Sequence, residues 1–211
     1  GVDVLSKLTT GKVHVNLNAQ AEVSNVFGNV KNAQVNRFAG PHPAGNVGVH
    51  IHHVAPIGKD DIVWTLNPYG VVQIGKLFLE GIYDASKIVA VAGSEVNQPQ
   101  YYKTYSGAKV AGFLNNNLKQ DNVRVISGNV LTGEAIGKDS YLGFYDHLIS
   151  VLPEGDKPRF FATEGWLAPT TRLSFHRAFR LLSFLCPNKE VVMDTNTNGD
   201  ERAFVMTGAF R

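Results

Sequence analysis

Within Ala39–His53, AGPHPAGNVGVHIHH, four histidines, three glycines and two prolines fall in fifteen residues. Neutral imidazoles at this density suit metal ligation or hydrogen bonding, and glycines among them invite comparison with a phosphate loop. Read as a strand, the stretch puts His50 and His52 on one face, and His42 adds a third imidazole, an arithmetic zinc or iron site. Structural zinc sites usually recruit thiolates and catalytic ones a carboxylate, whereas the nearest acids, Asp60 and Asp61, lie beyond Pro56 and Gly58. No metal is therefore assigned, and the histidines are taken as internally satisfied or surface groups. As a phosphate cradle the stretch fares no better: Gly40, Gly45 and Gly48 fit neither GxGxxG nor a Walker A pattern, and no Lys-Ser/Thr pair closes it. What remains is a loop whose Gly and Pro fix its backbone at the C-terminal edge of a sheet, where α/β folds place ligands.

Other chemistry-bearing residues yield less. Asp194, Asn196, Asn198 and Gly199 match the first half of an EF-hand loop, but position twelve is Val205 instead of a bidentate Glu. An Asn-Gly hairpin turn between the strand-like EVVMDT and RAFVMTG accounts for the segment better. The single cysteine, Cys186, ends an apolar helix just before Pro187 and is read as a buried or half-buried thiol. It cannot form an internal disulfide or hold an iron–sulfur cluster, which suits a reducing compartment. No GxSxG elbow accompanies any histidine.

These residues must be carried by a scaffold. With 211 residues, 44% of them hydrophobic and 18% charged, the chain can build one large or two small cored units. Twenty basic against eighteen acidic residues leave a formal charge of +2 with no basic run, so the electrostatic footprint of a nucleic-acid binder is missing. No apolar run approaches the roughly 18–20 residues that span a bilayer, and the N-terminus lacks a signal-peptide pattern. The chain reads as soluble. Its start without Met and its stop in a strand-like run suggest an internal fragment of something longer.

Along the chain, VDVLSKL has helical spacing, and KVHVNL (12–17) and AQVNRF (33–38) alternate like strands, the second leading into the histidine loop. DIVWTL (61–66) reads as a buried strand. PYGVVQIGKLFLEG opens with Pro68 at a plausible first helical position, carries Val72, Ile74, Leu77 and Leu79, and ends at Gly81. This is an α/β region, 1–85, with a partly parallel sheet. A second unit, 86–136, has a strand at 88–92, a turn at Asn97-Gln98-Pro99, and a strand at 101–104. A short helix with Val110, Phe113 and Leu114 follows, then a strand at 123–126, in the order that opens a β-grasp. The remainder, 137–211, reads as an α+β segment with a strand at 147–152 and an amphipathic helix at 172–185, whose stripe of Phe175, Phe179, Leu182 and Leu185 is a core face or an orphaned interface.

The segments RFAGPHPAGNVGVHIHHVAPI, VWTLNPYGVVQIGKLF, VAVAGSEV, VRVISGNVLTG, YLGFYDHLISVLPEG and DTNTNGDERAFVMTGAF together resemble the alpha subunit of the bacterial Na+-translocating NADH:quinone oxidoreductases. The resemblance implies a Rossmann-like α/β region related to the flavoprotein subunit of respiratory complex I and to Rnf-type complexes. A soluble-ligand-binding (SLBB) β-grasp domain would follow it. It further implies a peripheral subunit on the cytoplasmic face of the inner membrane. Membrane and flavin-carrying subunits would be its partners, and it would serve a pump that couples NADH oxidation and ubiquinone reduction to sodium export. Flavins and the iron–sulfur cluster would sit on those partners and quinone would be substrate, with His42, Gly45, His50 and His52 as quinone-loop candidates. AGN (44–46) stands where the related flavoproteins carry a Glu, and Lys109 in YSGAKV replaces the threonine of a flavinylation sequence, so no cofactor and no catalytic residue is expected on this chain. Two other classes stay open, a free-standing β-grasp module for a small ligand and a histidine-metal hydrolase.

Overall fold

The structure is a computed structural model and describes residues 1–22, 24–41, 43–155 and 194–195. The expectations for Cys186, the helix at 172–185 and the hairpin around 196–205 lie outside the described residues, and so does His42. The chain divides into two compact units between Ala85 and Ser86.

The first unit runs α1 (Val2–Leu8), β1 (His14–Asn18), α2 (Asn25–Gly28), β2 (Gln34–Phe38), α3 (Val47–Val54) and α4 (Pro68–Glu80). Strands β1 and β2 pair in parallel, from His14 opposite Gln34 to Asn18 opposite Phe38, with the α2 crossover between them. Helix α4 shows how local chemistry sets an element's ends. The Asn67 side chain accepts from the Gly70 amide at 2.7 Å, Pro68 occupies the first turn, and Gly81 at φ 70° closes the helix in the left-handed region. Gly75 lets the chain start lie against α4, since a Cβ there would come 2.8 Å from the Gly1 nitrogen. Gly75 is the buried position of α4, whereas Val72, Leu77 and Leu79 are exposed.

Two expectations fail in this unit. DIVWTL is not a buried strand: residues 61–66 belong to no element and Trp64 is 86% exposed. A strand needs a neighbouring ladder for its backbone groups, and among the described residues none is offered to this one. The second correction concerns VGVHIHHV, which is the helix α3 instead of a strand or loop. Val47, Ile51 and Val54 share a helical face, and that spacing wins over the period of two at Val47, Val49 and Ile51.

The second unit contains β3 (Ser86–Ala92), β4 (Gln100–Tyr105), α5 (Ala111–Leu114), β5 (Val123–Ser127), β6 (Glu134–Ile136) and β7 (Leu148–Pro153). Among the described residues its five strands lie in the order β4-β3-β7-β5-β6. Only the central β3–β7 pair is parallel; the other three are antiparallel. The segment boundary expected after residue 136 falls inside this sheet, because β7 is its middle strand and pairs on both sides. Burial alternates along β3, with Val89 and Val91 inside, and is nearly continuous along β7, as a central strand requires. These strands, Val110, Phe113 and Leu114 of the helical turn, and Leu142 form one apolar core. Gly93, at φ 133°, admits the β7 backbone: a Cβ there would sit 2.0 Å from the Val151 carbonyl oxygen. Among the described residues no helix is long and apolar enough to cross a membrane.

Candidate functional site

The histidine-rich stretch leaves the C-terminal end of β2 at Phe38 and passes through Gly40, at φ 143°, before entering α3 at Val47. In a helix, residues two apart point to nearly opposite sides, so His50 and His52 do not share a face and the strand-based imidazole pair is corrected. The two rings have different surroundings. His50 stacks on Phe38, ring centroids 4.1 Å apart and planes at 29°, while His52 meets His53 edge to face at 5.3 Å. His50 Nε2 is buried and without a hydrogen-bond partner among the described residues. Gly45 lies in the turn before α3, where the Asn46 amide donates to the Pro43 carbonyl at 2.9 Å. Asp61 caps its own turn, accepting from the Gly58 amide at 2.7 Å. Among the described residues no three His, Cys, Asp or Glu side chains converge as a metal site would require.

Beside this loop lies a feature absent from the sequence-based expectations. In parallel register, alternation puts His14, Asn16 and Asn18 of β1 on the same face as Gln34, Asn36 and Phe38 of β2. Asn36 Nδ2 donates to Asn16 Oδ1 at 2.9 Å and lies 3.3 Å from His14 Nδ1, and Gln34 Nε2 donates to Asn36 Oδ1 at 3.2 Å. A parallel sheet normally covers both faces with apolar side chains, so an amide-lined face that ends on the Phe38–His50 stack is unusual. The signal is present in HVNLN and QVNRF, where Asn, Gln and His recur at every second position. It is easily passed over, because polar residues on alternate strand positions are ordinarily a solvated face. Chemically the cluster offers amide donors and acceptors and one spare imidazole nitrogen beside an aromatic ring. That set suits a planar ligand with carbonyl oxygens.

In the second unit the groups with shifted titration serve the fold. Lys87 is 2% exposed, and its Nζ donates to the Phe144 carbonyl at 2.8 Å. Burial pushes its pKa below the usual lysine value, partly offset by the nearby Asp146 carboxylate. Asp146 in turn accepts from Ser127 Oγ at 2.5 Å, and that hydroxyl accepts from the Gly143 amide at 3.0 Å. Glu154 takes both arms of Arg124, Nε at 3.0 Å and Nη2 at 2.6 Å, and the Thr195 hydroxyl at 3.0 Å. Burial alone would raise the Glu154 carboxyl; these hydrogen bonds more than offset it, and its pKa lies below the usual value. Lys109 pairs with Asp139 at 2.9 Å on the surface.

Two architectural classes are thus present, a parallel α/β unit and a five-stranded mixed-sheet unit, and both have counterparts among known proteins. A family model described as the NqrA second alpha/beta domain matches residues 1–83, and one described as the NQRA C-terminal domain matches residues 88–137. The NqrA subunit of the Na(+)-translocating NADH-quinone reductase of Shewanella frigidimarina is 39% identical over the whole of this chain, which covers 46% of that protein. The corresponding subunits of Neisseria meningitidis serogroup B and of Hahella chejuensis are 40% and 41% identical, again over the whole chain and 46% of their own length. The chain belongs to the NqrA family, and it spans a little under half the length of the curated relatives it matches.

Proposed function

We propose that this chain acts as part of the NqrA subunit of a Na+-pumping NADH:quinone oxidoreductase, contributing docking surfaces and part of a quinone site while partner subunits carry the flavins and the iron–sulfur cluster. The observation that carries this reading is identity of about 40% along the entire chain to relatives bearing that name. The first unit is a Rossmann-like region, a reading supported by its β-α-β crossover and parallel pair. The second is a β-grasp. Counted within the unit its strands run 2-1-5-3-4 with 1 and 5 parallel, and a helical turn crosses between the second and third. The subunit works peripherally, on the cytoplasmic face of the inner membrane, docked on membrane and flavin-carrying partners.

Within this reading the quinone-loop candidates are Gly45, His50 and His52, with His42 as the fourth. His50 is the best placed of them, because its Nε2 is unpartnered among the described residues and its ring is held on Phe38. It would donate to a quinone carbonyl, with the isoprenoid tail left in lipid against a membrane subunit. His50→Ala tests this in the assembled complex. Quinone reduction should fall with a raised KM for quinone, while NADH oxidation by a soluble artificial acceptor stays unchanged. Equal activity with both acceptors, at wild-type KM, would place the quinone elsewhere.

A further inference from the structure

Among the described residues of the first unit only Gly75 is buried, so none of them contributes a fully buried apolar side chain. The second unit, by contrast, buries Val89, Val91, Phe113, Leu114, Ile149 and others in one cluster. A domain folds around a hydrophobic core, and a soluble monomer rarely leaves a large contiguous apolar patch in water. The first unit nonetheless exposes Ile62, Trp64, Phe78, Leu79 and Ile82, with Trp64 and Leu79 both 86% open. Leu77, Phe78 and Leu79 follow one another on α4, and three successive helical positions fan over about 200°. One flat docking partner cannot cover such a fan; a helix apolar on that many sides is enclosed by its own domain.

We infer that the exposed apolar side chains of residues 62–66 and 77–82 belong to the open half of a domain core, and that its occupant is further polypeptide of the same subunit. The length of the relatives supplies that occupant: proteins matching every residue of this chain have more than half of their own length outside the match. A second copy of the chain is a weaker choice, because the exposed residues belong to a unit without a core of its own to present. A partner subunit is weaker for the same reason, since docking surfaces are normally laid over a finished core.

Two measurements test the assignment. In a chimaera, residues 1–211 replace the matched part of the Neisseria meningitidis subunit, and Trp64 and Phe78 are probed by hydroxyl-radical footprinting in the 211-residue chain, in the purified chimaera and in the whole complex. Labelling should be strong in the short chain and drop in the chimaera to the level of the buried Phe113. Amide hydrogen exchange over the positions equivalent to 61–66 and 77–82 in the unmodified Neisseria subunit gives an independent readout should the chimaera misfold, and slow exchange is expected. Protection that appears only in the complex would assign this apolar surface to a partner subunit. Concentration-dependent protection of the short chain would assign it to a second copy. Full labelling throughout would leave it a free surface, and any of these three results overturns the inference.

Discussion

Lys87 in the second unit tests how burial and hydrogen bonding trade against charge. Lys87 takes an ammonium out of water with Asp146 nearby, and such arrangements often cost more in desolvation than they return. Lys87→Met, which keeps the stem and drops the charge, should leave the urea midpoint unchanged or higher. Lys87→Ala, which opens a cavity, should cost about 2–5 kcal/mol. Because the folded-state pKa lies below the unfolded one, the unfolded chain binds the extra proton between the two values, and stability rises with pH through that window. The advantage of Lys87→Met should therefore shrink in alkali, as paired urea titrations at neutral and alkaline pH would show. A constant difference would mean that the lysine is not desolvated. At the same scale, the placing of Val110, Phe113 and Leu114 on one buried face is readable from their spacing, and all three are in the core. Truncating Leu114 to Ala should cost about 2–5 kcal/mol, read from the thermal or urea transition. The spare nitrogen of His50 is not readable, because it depends on Phe38 arriving from another element.

At the scale of elements, the close of β7 is held by a polar clasp in which Glu154 accepts from Arg124 and Thr195. With its pKa depressed in the folded state, Glu154 contributes stability above the unfolded carboxylate value, and this is lost as pH falls through the folded value. Glu154→Gln should lower the thermal midpoint at neutral pH and make little difference once both states are protonated in acid. An equally large deficit in acid would assign the effect to packing. The close passage of Gly93 past β7 predicts that Gly93→Ala destabilises the unit, because the positive φ and the contact with Val151 are both violated. The strands of this unit are legible because β-branched residues in SKIVAVA and tyrosines in QYYKTY favour extended chain and turn residues bracket both runs. The role of β7 as the middle strand is not, since strand order is a matter of long-range pairing that no local pattern encodes. DIVWTL and VGVHIHHV mislead for related reasons: the first has no ladder to join among the described residues, and the second satisfies two periodicities at once.

For the whole molecule, the segments of resemblance spread along the chain point to the family, and whole-chain identity to NqrA subunits of sodium-translocating reductases agrees with them. The position of the candidate site is only partly legible. The Gly- and Pro-rich loop after β2 can be located from its residues, whereas the amide face beside it exists only once β1 and β2 lie in parallel register. The most direct test of the proposed function is complementation. Membranes of a Neisseria meningitidis strain lacking its own NqrA subunit would be supplied with the chimaera carrying residues 1–211, and sodium-dependent NADH:quinone reductase activity measured. Activity restored well above the deletion strain is the expected result. A chimaera present in the membranes at the native subunit's level, with activity no higher than in the deletion strain, would contradict it.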